Sequence, residues 1–133
     1  MARRAGERRL FREARALLHT WLRRLALVST VPLNVRSHGG GGDAARTLAM
    51  CDRFVADRDD MIIKAMSWAL RALAVRDPNA VERYIQANET RLPARVLREV
   101  RNKLRTGVKN PKPHAVARTP RAARPRARKS ARD

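Results

Sequence analysis

The feature that most constrains the fold is the spacing of apolar residues between Asp59 and Leu73. At about 100° per residue, a helix through this stretch places one set of apolar side chains on a single side. Lys64, Trp68 and Arg71 recur at i, i+4 and i+7 on the opposite side. The stretch therefore predicts an amphipathic helix whose core-facing residues are Ile62, Met66, Ala69, Leu70 and Leu73.

The open question about this helix is what Trp68 faces. An indole flanked by two cations matches the stacked bases and phosphates of nucleic acid. Tryptophan is also highly buried on average, so the helix can instead be buried on both sides, with Trp68 packed against a neighbouring helix. At the level of the sequence, both interpretations of Trp68 stay open.

The rest of the chain up to residue 106 also has a helical pattern. Ala, Leu and Arg dominate, and β-branched residues do not alternate. Asp43, a residue between Asp57 and Asp60, and Asp77 followed by Pro78 are the predicted helix N-caps. The predicted helices cover residues 7–19, 21–31, 44–54, 60–75, 78–88 and 93–106. Helices of this length joined by short turns predict an all-α domain over residues 1–106, built from stacked antiparallel helical hairpins in a HEAT-like repeat solenoid.

Residues 107–133 form a second region with a different composition. They contain nine Lys and Arg residues, interleaved with Pro and Ala, and only Asp133 is acidic. No apolar period survives, so burial cannot offset the entropy of ordering, and we predict a disordered basic tail. Such a tail is typical of a salt-sensitive DNA tether with little sequence specificity. The alternative is a solubilising extension.

The charge of the whole chain favours a polyanionic partner. The chain has 31 Lys and Arg residues against 12 Asp and Glu, a formal net charge of +19. Such an excess repels itself in a compact protein unless a polyanion neutralises it, so DNA or RNA is the expected partner. A solvated Arg-rich surface is the other explanation. We expect no membrane partner, because no segment combines a cationic face with large apolar anchors.

Several classes of site are excluded by the residues present. Cys51 is the only cysteine, so the chain has no intrachain disulfide, and we expect a cytoplasmic protein. The three histidines lie far apart without ligand spacing around Cys51, so we predict no metal site. The run Gly39–Gly42 lacks the Lys-Ser/Thr ending of a phosphate loop, and we predict no cofactor. We also expect a monomer.

A second aromatic and cationic set occurs at Trp21, Arg23 and Arg24. On a helical wheel Arg24 flanks Trp21, whereas Arg23 points nearly opposite. If Trp21 and Arg24 share a surface with Trp68 and Arg71, that surface can hold duplex DNA by its backbone and stack on an exposed base. The predicted nucleic-acid-binding residues are therefore Trp21, Arg23, Arg24, Lys64, Trp68 and Arg71.

The segments Trp21–Ala26 and Ile63–Arg71, followed by Asp77-Pro78 and the Leu92–Leu104 helix, resemble the DNA alkylation repair family. The resemblance covers about residues 21–106. It implies a HEAT-like-repeat DNA glycosylase that removes alkylated purines. It also implies that Trp68 lines the lesion site and that Arg24, or less well Arg23, contacts DNA beside it.

The chain departs from the family at the catalytic residue. The family places an Asp, with a Trp one turn before it, ahead of the Trp-x-Arg-Arg helix, but residues 1–20 contain only Glu7 and Glu13 as carboxylates. Loss of that Asp removes the main electrostatic stabilisation of a cationic sugar. The chain thus resembles the C-terminal half of such a protein.

Three functions follow from these patterns. The first is a DNA alkylation repair protein that binds duplex DNA and, if catalytic, acts as an N-glycosylase; no residue is identified as catalytic. The second is a non-catalytic nucleic-acid-binding or scaffold helical-repeat module that uses charge alone. The third, a protein-interaction solenoid, predicts no DNA binding without the tail.

Overall fold

The computed structural model describes residues 2–113, with side chains described from Arg4 onward. All regular structure in this range is helical, which confirms the predicted all-α class. The elements are α1 (Ala2–Val28), α2 (Val31–Asn34), a 3-10 turn (Arg36–His38), α3 (Ala44–Arg53), α4 (Asp60–Arg76), α5 (Pro78–Ala87) and α6 (Ala94–Thr106). The predicted disorder of the tail concerns mainly residues 114–133, which lie outside the described range.

The helices from α3 onward begin and end close to the residues that the sequence indicates. Asp43, Asp59 and Asp77 each accept a hydrogen bond from a backbone N–H of the first turn, at 2.9–3.0 Å. These bonds satisfy donors that have no partner within the helix. At the other end, Gly107 ends α6 with φ of 79°, a left-handed conformation that favours glycine. The predicted caps are confirmed.

The N-terminal helices differ from the sequence prediction. The predicted break between His19 and Trp21 is wrong, because α1 runs through it without interruption. The Thr20 hydroxyl instead donates back to the carbonyl of Ala16 at 3.2 Å, inside the helix. Pro32 does not end a helix but lies in the first turn of α2, where a missing N–H has no intrahelical acceptor to lose.

Helix α4 forms the centre of the core. Its predicted core residues Ile62, Met66, Ala69, Leu70 and Leu73 are all fully buried, as predicted. Every other α-helix contacts α4. The apolar residues that complete the core come from every other α-helix and from the loops, and include Leu27 of α1, Cys51 of α3, Val81 of α5 and Val100 of α6. Because one side of α4 packs against the other helices, the face that carries Trp68 lies on the side away from the core.

Helices α1, α4 and α6 lie side by side and run in the same direction. Arg23 and Arg24 of α1 contact residues at the start of α4, whereas Asn34, which follows α1, accepts from Arg76 at the end of α4 at 3.1 Å. On the other side of α4, Arg95 at the start of α6 contacts Asp60 at 3.2 Å. The start of α4 thus lies beside the start of α6 and beside Arg23 and Arg24, which are near the C-terminal end of α1.

The N-terminal half of α1 projects from this packed body. Its residues 4–19 are exposed, and burial begins only near Leu27. Seven large apolar side chains share one side of the helix and are 52–78% exposed: Leu10, Phe11, Leu17, Leu18, Trp21, Leu22 and Leu25. Arg9 and Arg12 lie on the opposite side of the same helix. The expectation that no segment joins a cationic face to large apolar anchors was therefore wrong, because the predicted break had divided this stripe.

No helix in the described range is long and apolar enough to span a membrane.

Candidate nucleic-acid interface

Trp68 occupies the middle of α4 on the side away from the core. Its indole is 43% exposed, although its two chain neighbours, Ser67 and Ala69, are fully buried. The steps of about 100° between successive helical residues produce this contrast, because each neighbour points toward a flanking helix or the core. The ring is therefore open to solvent rather than sealed between helices.

Lys64 lies one turn before Trp68 on the same exposed face. Its Nζ pairs with Asp60 at 2.8 Å, and Asp60 also accepts from Arg95 of α6 at 3.2 Å. The hydrogen bond from Lys64 and the charges of Lys64 and Arg95 outweigh burial and lower the pKa of Asp60. Asp60 and Lys64 are exposed to solvent whereas Arg95 is half-buried, so the pair between Lys64 and Asp60 is weak and Lys64 remains available to an anion.

Arg71 lies on the other side of Trp68 and is half-buried. Its Nε donates to the carbonyl of Ser67 at 3.1 Å and to the Ser67 hydroxyl at 3.2 Å. Burial lowers the pKa of Arg71, while the nearby charge of Glu99 opposes that effect. Its terminal Nη atoms form no hydrogen bond with residues 4–113. A guanidinium held at Nε with open Nη atoms suits a phosphate oxygen.

The two arginines of α1 have different contacts from those expected. Arg23 pairs with Asp57 in the loop before α4 and contacts the Thr20 hydroxyl at 3.3 Å. Arg24 donates from Nη1 to the carbonyl of Met61, in the first turn of α4, at 3.0 Å. Both side chains fasten α1 to the start of α4.

Trp21 is 56% exposed, but the structure does not place it beside Trp68. Arg24 of α1 is hydrogen-bonded to Met61 of α4, so the two residues lie at about the same level along the two helices, which run in the same direction. Trp21 lies three residues before that level and Trp68 seven residues after it. At 1.5 Å per residue, the two indoles are therefore roughly 15 Å apart along the helix axes. They cannot stack on one base.

A buried carboxylate that the sequence pattern did not predict lies next to this face. Glu99 of α6 is 2% exposed, and its Oε2 accepts from the Ser67 hydroxyl at 2.5 Å. Its Oε1 accepts from Arg95 at 2.9 Å and lies 3.4 Å from the Nζ of Lys109. The i, i+4 spacing of Arg95 and Glu99 was a signal in the sequence, but spacing alone does not tell a buried pair from an exposed one.

The charge state of Glu99 follows from these contacts. Burial by itself raises the pKa of the carboxyl. Hydrogen bonds from Ser67 and Arg95, together with the charges of Lys109 and Arg95, outweigh burial and hold the pKa below the ordinary glutamate value. Glu99 is therefore an ionised carboxylate at neutral pH, next to the helix that carries Trp68.

The segment after α6 returns to the same side of the molecule. The left-handed Gly107 turns the chain, and Lys103 donates to its carbonyl at 2.7 Å. Asn102 then donates to the carbonyl of Lys109 at 3.1 Å, which brings the Lys109 side chain to Glu99. Around Trp68 the described part of the chain thus gathers four cations and two carboxylates: Lys64, Arg71, Arg95, Lys109, Asp60 and Glu99.

The described residues form neither a metal-ligating cluster nor a deep groove that includes this face. Within the described range, no group of three or more His, Cys, Asp or Glu side chains is arranged to hold a metal ion. A surface groove of about 770 Å³ lies between α5 and α6, and Pro78, Glu82 and Arg101 are among its lining residues. None of the six predicted contact residues lines that groove. The face around Trp68 is a shallow, exposed surface, which fits a large ligand better than a small one.

A family model described as DNA alkylation repair enzyme matches residues 2–104. The match includes all of α1 to α5 and most of α6, and so contains the six predicted contact residues. No curated protein matches the chain, and no solved structure does.

Proposed function

Because this chain belongs to the DNA alkylation repair enzyme family, we propose that it binds duplex DNA that carries alkylated bases. The observation that carries the proposal is the exposed indole of Trp68 between Lys64 and Arg71. The cations hold phosphates of the backbone, and the indole stacks on a base that has left the helix. Extrusion of a base costs a few kcal/mol and costs least for a damaged or mismatched base, which favours a lesion over the intact bases around it.

The arrangement of the helices supports the same proposal. Parallel α1, α4 and α6 are the arrangement expected when helical hairpins stack in a HEAT-like array, in which one helix of each hairpin lines a common surface. Helices α4 and α6 supply cations that lie near Trp68, and Arg24 lies at the junction of α1 and α4. A surface of this kind follows the DNA backbone over several phosphates.

Excision of the base has less support than binding. Glu99 is sealed beneath the surface, and Asp60 lies two turns before Trp68, about 12 Å along the helix axis. Glu13, on the projecting half of α1, is paired with Arg9 at 2.9 Å. Among the described residues, these carboxylates do not place a negative charge beside a base stacked on Trp68. Binding is therefore the function that the geometry supports best.

The binding proposal is tested by Trp68→Ala. Stacking of a base on an aromatic side chain contributes about 1–3 kcal/mol, so the variant should bind a 7-methylguanine duplex about 5- to 160-fold more weakly. Fluorescence anisotropy at fixed salt measures the change. The matched control is Val75→Ala, an exposed apolar residue of the same helix, two turns away. Equal affinities of the two variants would remove Trp68 from the site.

The excision step is tested separately, by incubating the protein with DNA that contains 7-methylguanine. This cationic base has a weakened glycosidic bond and needs the least help from a carboxylate. Release of free base faster than in the protein-free control would show a glycosylase. Equal rates, with binding retained, would show a binding protein.

The second candidate function is a module that binds nucleic acid by charge alone. The nine cations of residues 107–133 favour it. Truncation after Pro113 discriminates the two candidates and leaves Lys109 in place on Glu99. If the truncated chain loses all affinity and Trp68→Ala loses none, the charge-only module is correct. If the truncated chain keeps a Trp68-dependent affinity, the folded domain is the binding unit.

A further inference from the structure

Glu99 is the most deeply buried charged side chain in the described range, and no step of the proposed function uses it. Its side chain is 3% exposed, although its neighbours on the buried side of α6 are the apolar residues Val96 and Val100. Burial of a carboxylate is unfavourable unless cations and hydrogen-bond donors surround it. The burial of Glu99 between α4 and α6 must therefore be compensated by its partners.

The partners of Glu99 are the cations of the Trp68 face. Arg95 and Lys109 contact its Oε1 directly, at 2.9 and 3.4 Å. The third connection is indirect, because the Ser67 hydroxyl donates to Oε2 at 2.5 Å and accepts from the Nε of Arg71 at 3.2 Å. One buried carboxylate thus connects cations from α4, from α6 and from the segment that follows α6.

We infer that Glu99 is a positioning residue, which holds Arg71, Arg95 and Lys109 in the orientation in which they meet DNA phosphates beside Trp68. The inference rests on the proposed function. Glu99 does not touch DNA, because its carboxylate lies beneath the surface. Its effect arises before DNA binds. Arg and Lys side chains lose conformational entropy when they are fixed, and the contacts with Glu99 cause part of that loss already in the free protein, so less is lost on binding.

A positioning role of Glu99 predicts the opposite change in DNA affinity from that expected from net charge alone. Removal of a negative charge near bound phosphates should strengthen DNA binding if only the net charge matters. Removal of a positioning carboxylate should weaken it, because the three cations then adopt many orientations. Glu99→Gln keeps the size of the side chain, removes the charge and replaces one acceptor oxygen with an NH2 donor.

The test compares Glu99→Gln with Glu89→Gln in the full chain, by anisotropy on the same 7-methylguanine duplex. Glu89 is exposed and pairs with Arg101 at 2.6 Å, and Arg101 lies on the far side of α6 from Glu99. Both variants lose one negative charge. We expect Glu99→Gln to weaken binding about fivefold or more, within the range of coupling between contacting residues, and Glu89→Gln to leave it unchanged or slightly stronger. In the Arg71→Ala background, Glu99→Gln should weaken binding by a smaller factor than in the wild type, because only Arg95 and Lys109 then remain to be positioned.

A second readout needs no DNA. The Nε–H protons of Arg71 and Arg95 should exchange slowly in nuclear magnetic resonance spectra of the wild type and faster in Glu99→Gln. Circular dichroism verifies that each variant is folded, and Ser67→Ala, which keeps the carboxylate and cuts only the connection to Arg71, replaces Glu99→Gln if that protein does not fold. If Arg71→Ala weakens binding while Glu99→Gln binds like Glu89→Gln, the positioning role is overturned. If neither Arg71→Ala nor Trp68→Ala changes binding, the proposed function itself fails.

Discussion

At the scale of single residues, the chemistry of this protein depends on which neighbours a long side chain meets. Arg71 and Arg23 are both arginines on amphipathic helices. Arg23 meets Asp57 and fastens two elements together, whereas Arg71 bonds only through Nε and keeps its outer nitrogen atoms open. The same residue type therefore stabilises the fold at one position and is available for a ligand at the other.

The ionised state of Glu99 makes stability depend on acid. Because its pKa in the folded protein is lowered, its contribution to stability is fully present above the ordinary value of 4.5 and is lost as the pH falls through the folded pKa. The free energy of unfolding of Glu99→Gln should therefore fall less than that of the wild type as the pH is lowered from 6 toward acid. Urea unfolding at a series of pH values measures the difference. Parallel curves for the two proteins would contradict this account of Glu99.

Cys51 should be inert in the folded protein. It is fully buried, and burial, followed by the charge of Asp52, raises the pKa of its thiol to about 12. The reactive thiolate is therefore almost absent at pH 8. Iodoacetamide should modify the native protein far more slowly than the urea-unfolded chain, as measured by mass spectrometry. Equal rates would show that the core around Cys51 opens readily.

At the scale of elements, α1 has two halves with different environments. The half that includes Leu27 joins the core, and the preceding half carries seven exposed large apolar residues on one side. Large contiguous apolar patches are uncommon on the surfaces of monomeric proteins. The expectation of a monomer is not tested by the structure and stays a prediction.

The two halves of α1 should respond differently to truncation of a leucine. Leu27→Ala removes a fully buried side chain and should lower the free energy of unfolding by about 2–5 kcal/mol. Leu17→Ala removes a side chain that is 63% exposed. It should change the free energy of unfolding by less than about 0.5 kcal/mol. Urea unfolding at low protein concentration measures both. A similar large loss for Leu17→Ala would mean that the exposed stripe is covered in solution.

At the scale of the whole molecule, the net charge of +19 governs the response to salt. Each neutralised phosphate of B-DNA contributes about 0.9 to the slope of log affinity against log salt. Truncation after Pro113 removes seven of the nine cations of residues 107–133 and should reduce that slope clearly. Trp68→Ala should lower the affinity and leave the slope nearly unchanged, because stacking releases no counterions. Titrations at several salt concentrations test both expectations, and an equal reduction of the slope in both variants would contradict them.

Local patterns in the sequence are enough to predict the helical class, most helix ends and the core face of α4. These features depend on residues a few positions apart, such as an Asp and the N–H groups that follow it, or Ile62, Met66 and Leu73 on one face. The motifs around Trp21 and Trp68 indicate the family. The sequence also shows that residues 1–20 contain no aspartate, although the resemblance implies one ahead of the Trp-x-Arg-Arg helix.

The contacts of the remaining side chains could be found only from the packing of the helices. That packing separated Trp21 from Trp68, assigned Arg23 to Asp57, and brought Glu99, Ser67, Arg71 and Lys109 together. A long side chain reaches partners on several neighbouring elements, and helix packing, not local periodicity, determines which partner lies within hydrogen-bond distance. The sequence prediction also divided α1 at Thr20, although no residue there breaks a helix. Which half of α1 packs on the core is visible only in the complete fold, because that depends on the neighbouring helices.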